Sequence, residues 1–141
     1  GRAVVVGTTS CGKGSVQSIL PLPNDGELVL TSARFHAPSG YALAELGVLP
    51  HLCTSGGRDA PTVILDNLRS GRYADHAAAA RWRSVAPEDS EGRRSLRAAA
   101  CPSDTAERDG DLELARSLLA DRNLHALALD STPAVAIAPA R

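Results

Sequence analysis

Ala3-Val4-Val5-Val6-Gly7-Thr8-Thr9-Ser10-Cys11-Gly12-Lys13-Gly14-Ser15-Val16-Gln17 is the stretch on which the reading of this chain turns. Ala3 to Val6 is a continuous apolar run, the pattern of a strand buried on both faces. A small, polar turn follows from Gly7 to Gly14. Ser15 to Leu20 then reads as a second strand, stopped by Pro21 and Pro23.

Two chemistries compete for a lysine between glycines after a strand. Gly7 to Gly14 nearly fits the phosphate-binding loop G-x-x-x-x-G-K-[ST], but Gly14 stands where a Ser or Thr must hold magnesium. That loop also needs a long helix whose N-terminus faces the phosphates. Only Ser15 to Leu20 separates Gly14 from Pro21, and Val16, Ile19 and Leu22 favour a strand at least as well. Val63-Ile64-Leu65-Asp66 mimics the second nucleotide motif, an apolar strand ending in Asp. With Pro61 before it and Leu68 after, the same segment fits an amphipathic helix. Nucleotide binding is therefore the weaker alternative.

Outward from the loop, Asn24-Asp25-Gly26 is a tight-turn signal, since these residues tolerate left-handed backbone. Glu27 to Phe35 reads as the returning strand of a hairpin, and Pro38-Ser39-Gly40 as another turn. From about residue 59 the pattern becomes helical. Pro61 suits a first helical turn and Gly71 a helix end. Tyr73 to Arg83 is Ala-rich, with Pro87 beyond it, and a charged stretch closing on Leu96 suits another short helix. Leu112, Ala115, Leu118 and Leu119 sit at helical spacing, with acids before them and Arg122 after. Trp82, Leu112 and Leu118 are the expected anchors of this half.

Composition removes several function classes. The 15 basic and 16 acidic residues nearly balance, and only four aromatics occur, Phe35, Tyr41, Tyr73 and Trp82. Stacking platforms and basic clamps for nucleic acid are not expected. No apolar run is long enough to span a membrane. Cys11, Cys53 and Cys101 form no C-x-x-C, and His36, His51, His76 and His125 are scattered, so neither a zinc site nor any cofactor is expected. His36 and His51 read as hydrogen-bonded loop residues rather than catalysts. The chain opens on Gly1-Arg2-Ala3 with no Met, and is expected to be a piece of a longer protein.

Four motifs in sequence carry a resemblance. Ala3 to Gly7 precedes Gly12-Lys13-Gly14-Ser15-Val16-Gln17 and then Pro21-Leu22-Pro23. Leu30-Thr31-Ser32-Ala33-Arg34-Phe35 precedes Ala37-Pro38-Ser39-Gly40 and Gly47-Val48-Leu49-Pro50. In order and spacing these resemble the carboxyl-terminal processing peptidases, the tail-specific protease family S41. The resemblance covers about the first 50 residues. Cys11 replaces the usual Phe before Gly-Lys-Gly, Tyr41-Ala42-Leu43 a common Arg-Ser-Ile, and His51 a usual Asp.

What the resemblance implies is a serine–lysine dyad. A serine hydroxyl is a poor nucleophile until a base takes its proton. A lysine can be that base only when neutral. Its ammonium has a pKa of about 10.4 in water, so a lysine base must be desolvated, typically to around 7 to 8. By resemblance Lys13 is the general base, Gln17 orients it, and the nucleophilic serine lies upstream of Gly1. Gln17 can accept a hydrogen bond from the amine without adding the negative charge that would favour an ammonium. The implied fold is α/β. Residues 1–58 would be the C-terminal part of a ClpP/crotonase-type S41 catalytic core, 59–129 a mainly helical extension and 130–141 a fraying tail.

The resemblance further implies protein or peptide substrates with flexible C-terminal tails and an upstream PDZ module. It implies a periplasmic or inner-membrane-associated location facing the periplasm. Outside the cytoplasm Cys53 and Cys101 can pair, and two separate buried thiols are the alternative. A non-catalytic homologue serving as scaffold is the alternative function.

Overall fold

The computed structural model describes residues 3–55, 60–73, 76–106 and 109–131, with backbone alone for 76–78. The chain is mixed strand and helix. Strands β1 (Val6–Gly7), β2 (Ser15–Pro21), β3 (Glu27–Arg34) and β4 (Leu52–Cys53) occupy the first part. Helices α1 (Pro61–Arg69), α2 (His76–Ser84), α3 (Ser90–Ala100), α4 (Asp109–Ala120) and α5 (Arg122–Asp130) follow. The α/β class expected from sequence agrees with this.

β2 and β3 form the expected antiparallel hairpin, with Ser15 opposite Arg34 and Pro21 opposite Glu27. Its turn uses the chemistry of Asn24-Asp25-Gly26. Asp25 takes φ +58°, Asn24 Oδ1 accepts from Gly26 N–H at 3.3 Å, and Leu22 N–H reaches Gly26 O at 2.8 Å. The pairing shifts between Val16 and Gln17. Both faces of the hairpin stand in solvent: the opposed Ile19 and Val29 are 61% and 54% exposed on one face, and Leu20 and Leu28 46% and 45% on the other.

The expected strand at Ala3 to Val6 is shorter and one-sided. β1 covers Val6–Gly7 and pairs in parallel with β4, Val6 opposite Leu52. Val4 and Val6 pack against the core while Val5 is exposed. An apolar run suggests two buried faces, but among the described residues β1 has one neighbouring strand and one packed side, so its side chains alternate.

That core gathers Leu52, Ile64, Leu65 and Leu68 with Leu114, Leu118, Leu124 and Ala128, so α1, α4 and α5 close over the β1–β4 seam. Val63-Ile64-Leu65-Asp66 is helical, inside α1. Pro61 sits in its first turn, and Gly71 ends it at φ +69°. Gly71 N–H reaches Leu68 O and Arg72 N–H reaches Asn67 O, the paired bonds of a Schellman stop. In α4 the buried residues are Leu114 and Leu118. Leu112, expected as an anchor, is instead 54% exposed, and Leu119 is 80% exposed. The helix is rotated from the expected phase because α1 and α5 meet the 114/118 stripe.

Asp121 breaks the last helical stretch in two. Its side chain accepts from Asn123 and Leu124 N–H, capping α5. Trp82 is buried as expected and, with Ala42, Leu46 and Ala79, belongs to the buried set outside the α1–α4–α5 cluster. α5 runs through Asp130, where the tail was expected to begin. The rest of that expected tail, from residue 132, lies outside the described residues.

The glycine–lysine loop as candidate active site

Residues 8–14 leave β1 and deliver the chain to β2. Gly12 and Gly14 take left-handed backbone, φ +71° and +57°. A Cβ on Gly14 would lie 2.2 Å from Ala44 N, and one on Gly12 2.8 Å from Gly47 N. Only glycine allows that approach. The contact is cemented by Glu45 N–H on Gly12 O at 2.7 Å, Phe35 N–H on Gly14 O at 2.8 Å and Ser10 N–H on Val48 O at 3.2 Å. Ser10 Oγ accepts from Val48 N–H at 2.9 Å, so this serine is part of the loop's structural lock.

Lys13 is thus an exposed side chain on a backbone held between two buried glycines. Gln17, just past the pairing irregularity in β2 and opposite Thr31, is exposed as well. The structure brings both to the start of the hairpin. Among the described residues no hydrogen bond or ion pair reaches either side chain, and none joins them. The burial that a lysine base needs is not supplied by the described residues. The segment after Gly14 is a strand, not the helix a phosphate loop requires, and Val63 to Asp66 is helix rather than strand.

The two loop histidines behave as expected. His36 Nδ1 pairs with Gly40 O at 3.1 Å. His51 Nδ1 accepts from Val5 N–H at 3.0 Å, so it serves as an unprotonated acceptor. Burial pushes the His51 imidazole below its usual range. Cys11 is an exposed free thiol. Cys53 and Cys101 are joined as a disulfide, with Cα atoms 5.9 Å apart. Tyr73 Oη braces the bridge, accepting from Cys53 N–H and donating to Cys53 O.

Sequence reasoning missed two arginines of α3. Arg93 is 1% exposed. Its Nε and Nη2 donate to Ala44 O at 3.1 and 2.8 Å, and Nη2 also to Ala42 O. Its Nη1 reaches Val85 O and Ala86 O. Arg97 Nη1 donates to Cys11 O at 3.0 Å and Nη2 to Ser10 O at 2.9 Å. Their four-residue spacing was visible, but nothing in the sequence said that this helix face meets the glycine–lysine loop.

Residues 1–54 match the family model described as Peptidase family S41. This stretch is similar to peptidase family S41. The S41 segment carries Lys13, Gln17 and the whole 42–48 wall against which the loop rests. A carboxy-terminal-processing protease of Bartonella bacilliformis is 47% identical over 51 residues, 36% of this chain and 12% of the relative. The carboxyl-terminal-processing peptidase 3, chloroplastic, of Arabidopsis thaliana is 36% identical over 72 residues, 50% of this chain and 14% of the relative. A carboxyl-terminal-processing protease of a Picosynechococcus species is 36% identical over 50 residues, 36% of this chain and 12% of the relative. The chain therefore spans between 12% and 14% of the length of these curated relatives. No solved structure matches it.

Proposed function

We propose that this chain is the lysine-bearing part of a serine-type endopeptidase that cleaves proteins near their C-termini. Lys13 is the general base, Gln17 orients its amine, and the nucleophilic serine lies upstream of Gly1. The observation that carries the reading is the fixed Gly12-Lys13-Gly14 backbone with a free amine at its centre, inside the S41 segment. The neutral Nζ would take the serine hydroxyl proton as the oxygen attacks the scissile carbonyl. It would then return the proton to the leaving amine. Gln17 offers an amide oxygen to hold Nζ without a compensating negative charge. The upstream part of a ClpP/crotonase-type core would cover Lys13 and supply its desolvation.

Substrates would be proteins with flexible C-terminal tails, presented by an upstream PDZ module. The Cys53–Cys101 bridge supports a setting outside the reducing cytoplasm, consistent with a periplasmic site of action. The helical region from residue 59 to 129 would be an extension of the catalytic core. Among the described residues no helix is long and apolar enough to cross a membrane.

Lys13→Ala in the full-length protein tests the reading. Cleavage of a tailed protein substrate should fall by about 10²–10⁴-fold, the range for a lost general base. Gln17→Ala should lower it less. The isolated 141-residue chain should not cleave. A wild-type rate in the Lys13→Ala protein would refute the dyad, and no cleavage by the full-length wild type would favour the scaffold alternative.

A further inference from the structure

We infer that α3 is the clamp that sets the position of Lys13, with Arg93 and Arg97 as positioning residues. The inference rests on the reading of Lys13 as the base, and extends it to residues outside the S41 segment.

The loop bearing Lys13 lies between two walls of backbone. One is its own approach, Ser10 and Cys11. The other is residues 42–48, onto which Gly12 and Gly14 press. Arg97 holds the first wall by the carbonyls of Ser10 and Cys11, and reaches Glu45 O at 3.5 Å on the second. Glu45 in turn donates its N–H to Gly12 O. Arg93 holds the second wall by the carbonyls of Ala42 and Ala44. Ala44 is the residue whose backbone Gly14 touches. One helix face therefore grips both sides of the loop.

The chemistry of the grip is unusual for a merely packing helix. Arg93 is buried with no carboxylate partner among the described residues, and desolvating an unpaired guanidinium is expensive. Nε, Nη1 and Nη2 each donate to main-chain carbonyls instead. Guanidinium suits this work because its fork is rigid and can span successive carbonyls, which a lysine ammonium cannot do with the same directionality. Residue 101 continues the 93/97 spacing just past the helix end, where the disulfide ties α3 to β4. Displacing the clamp by a fraction of an ångström would move the Lys13 backbone relative to any serine it serves. Small misplacements of this kind are costly to rate.

The test has two arms. In this chain, amide hydrogen exchange is followed in Arg97→Ala, Arg97→Lys and, as a control, Arg94→Ala. Among the described residues Arg94 Nε bonds Ser90 O of its own helix and nothing else. Arg97→Ala should speed exchange at Ser10, Glu45 and Val48 by about fivefold or more while Leu20 and Leu28 amides in the hairpin stay unchanged. Arg97→Lys should lie between, and Arg94→Ala should match the wild type. Wild-type exchange at the three loop amides in Arg97→Ala overturns the clamp. So does an equal rise throughout the chain in both Arg97 variants, which would mean a general stabilising role.

In the full-length protein, Arg97→Ala should lower kcat by about tenfold with KM unchanged. A wild-type kcat beside an inactive Lys13→Ala protein overturns the positioning role while leaving the dyad standing. An active Lys13→Ala protein defeats the dyad and, with it, any catalytic positioning by Arg97. The exchange arm still decides whether α3 holds the loop.

Discussion

Gly14 rests directly on the backbone of Ala44, so closely that a Cβ on Gly14 would stand 2.2 Å from Ala44 N. Backbone cannot swing aside as a flexible side chain can. Gly14→Ala should therefore cost about 2–5 kcal/mol, combining left-handed strain with overpacking. Gly71→Ala is the matched comparison. Gly71 has φ +69° but nothing within 4 Å of the added methyl, so only the strain of about 1–2 kcal/mol remains. Urea unfolding of the two variants measures the difference.

In α4 the burden falls on Leu114, not on Leu112. Leu114 is fully buried among α1 and α5 side chains. Leu114→Ala should lose about 2–5 kcal/mol. Leu112→Ala should stay within about 0.5 kcal/mol of wild type, as exposed substitutions do. Thermal and urea midpoints of the pair check the assignment of the buried face.

The contrast shows where the sequence was legible. The β2–β3 hairpin could be read because its turn residues and strand run are local signals. The ends of α1 could be read from Pro61 and Gly71 for the same reason. The Gly12-Lys13-Gly14 loop could be read as special, though its reason lies 30 residues away in the 42–47 wall. The phase of α4 could not be read, since several apolar stripes compete on a Leu-rich helix and the neighbours choose among them. The one-sided burial of Ala3 to Val6 depended on how many strands flank it. The roles of Arg93 and Arg97 could not be read, because their partners are main-chain carbonyls that carry no sequence signature.

His51 sets a pH dependence. Burial lowers its folded pKa below the usual value, and Nδ1 must be unprotonated to accept from Val5 N–H. The unfolded chain then binds a proton at higher pH than the folded one. The contribution is fully present above about pH 6.5 and is lost as pH falls through the folded value. Urea midpoints should drop between pH 8 and pH 5. The slope attributable to His51, taken as wild type minus His51→Ala, should be positive with pH. An identical pH slope in the two proteins would remove His51 from the account.

Reducing Cys53–Cys101 should destabilise the chain by about 4 kcal/mol in the chain-entropy picture of a loop this long. Thiol titration of the unfolded protein gives the count directly. One reactive thiol, Cys11, is expected before reduction and three after it. Three thiols without reductant, in protein made under oxidising conditions, would contradict the pairing.

The same bridge changes what a cut in the chain means. Residues 53 to 101 form a covalent ring that holds α1, α2 and α3, with one end on β4 beside β1. A single proteolytic nick anywhere around that ring opens it without releasing anything. The lysine-bearing segment and the α4–α5 hairpin stay one molecule through the sulfur bond. Such a nicked protein would migrate as an intact chain until reductant separates it into two pieces.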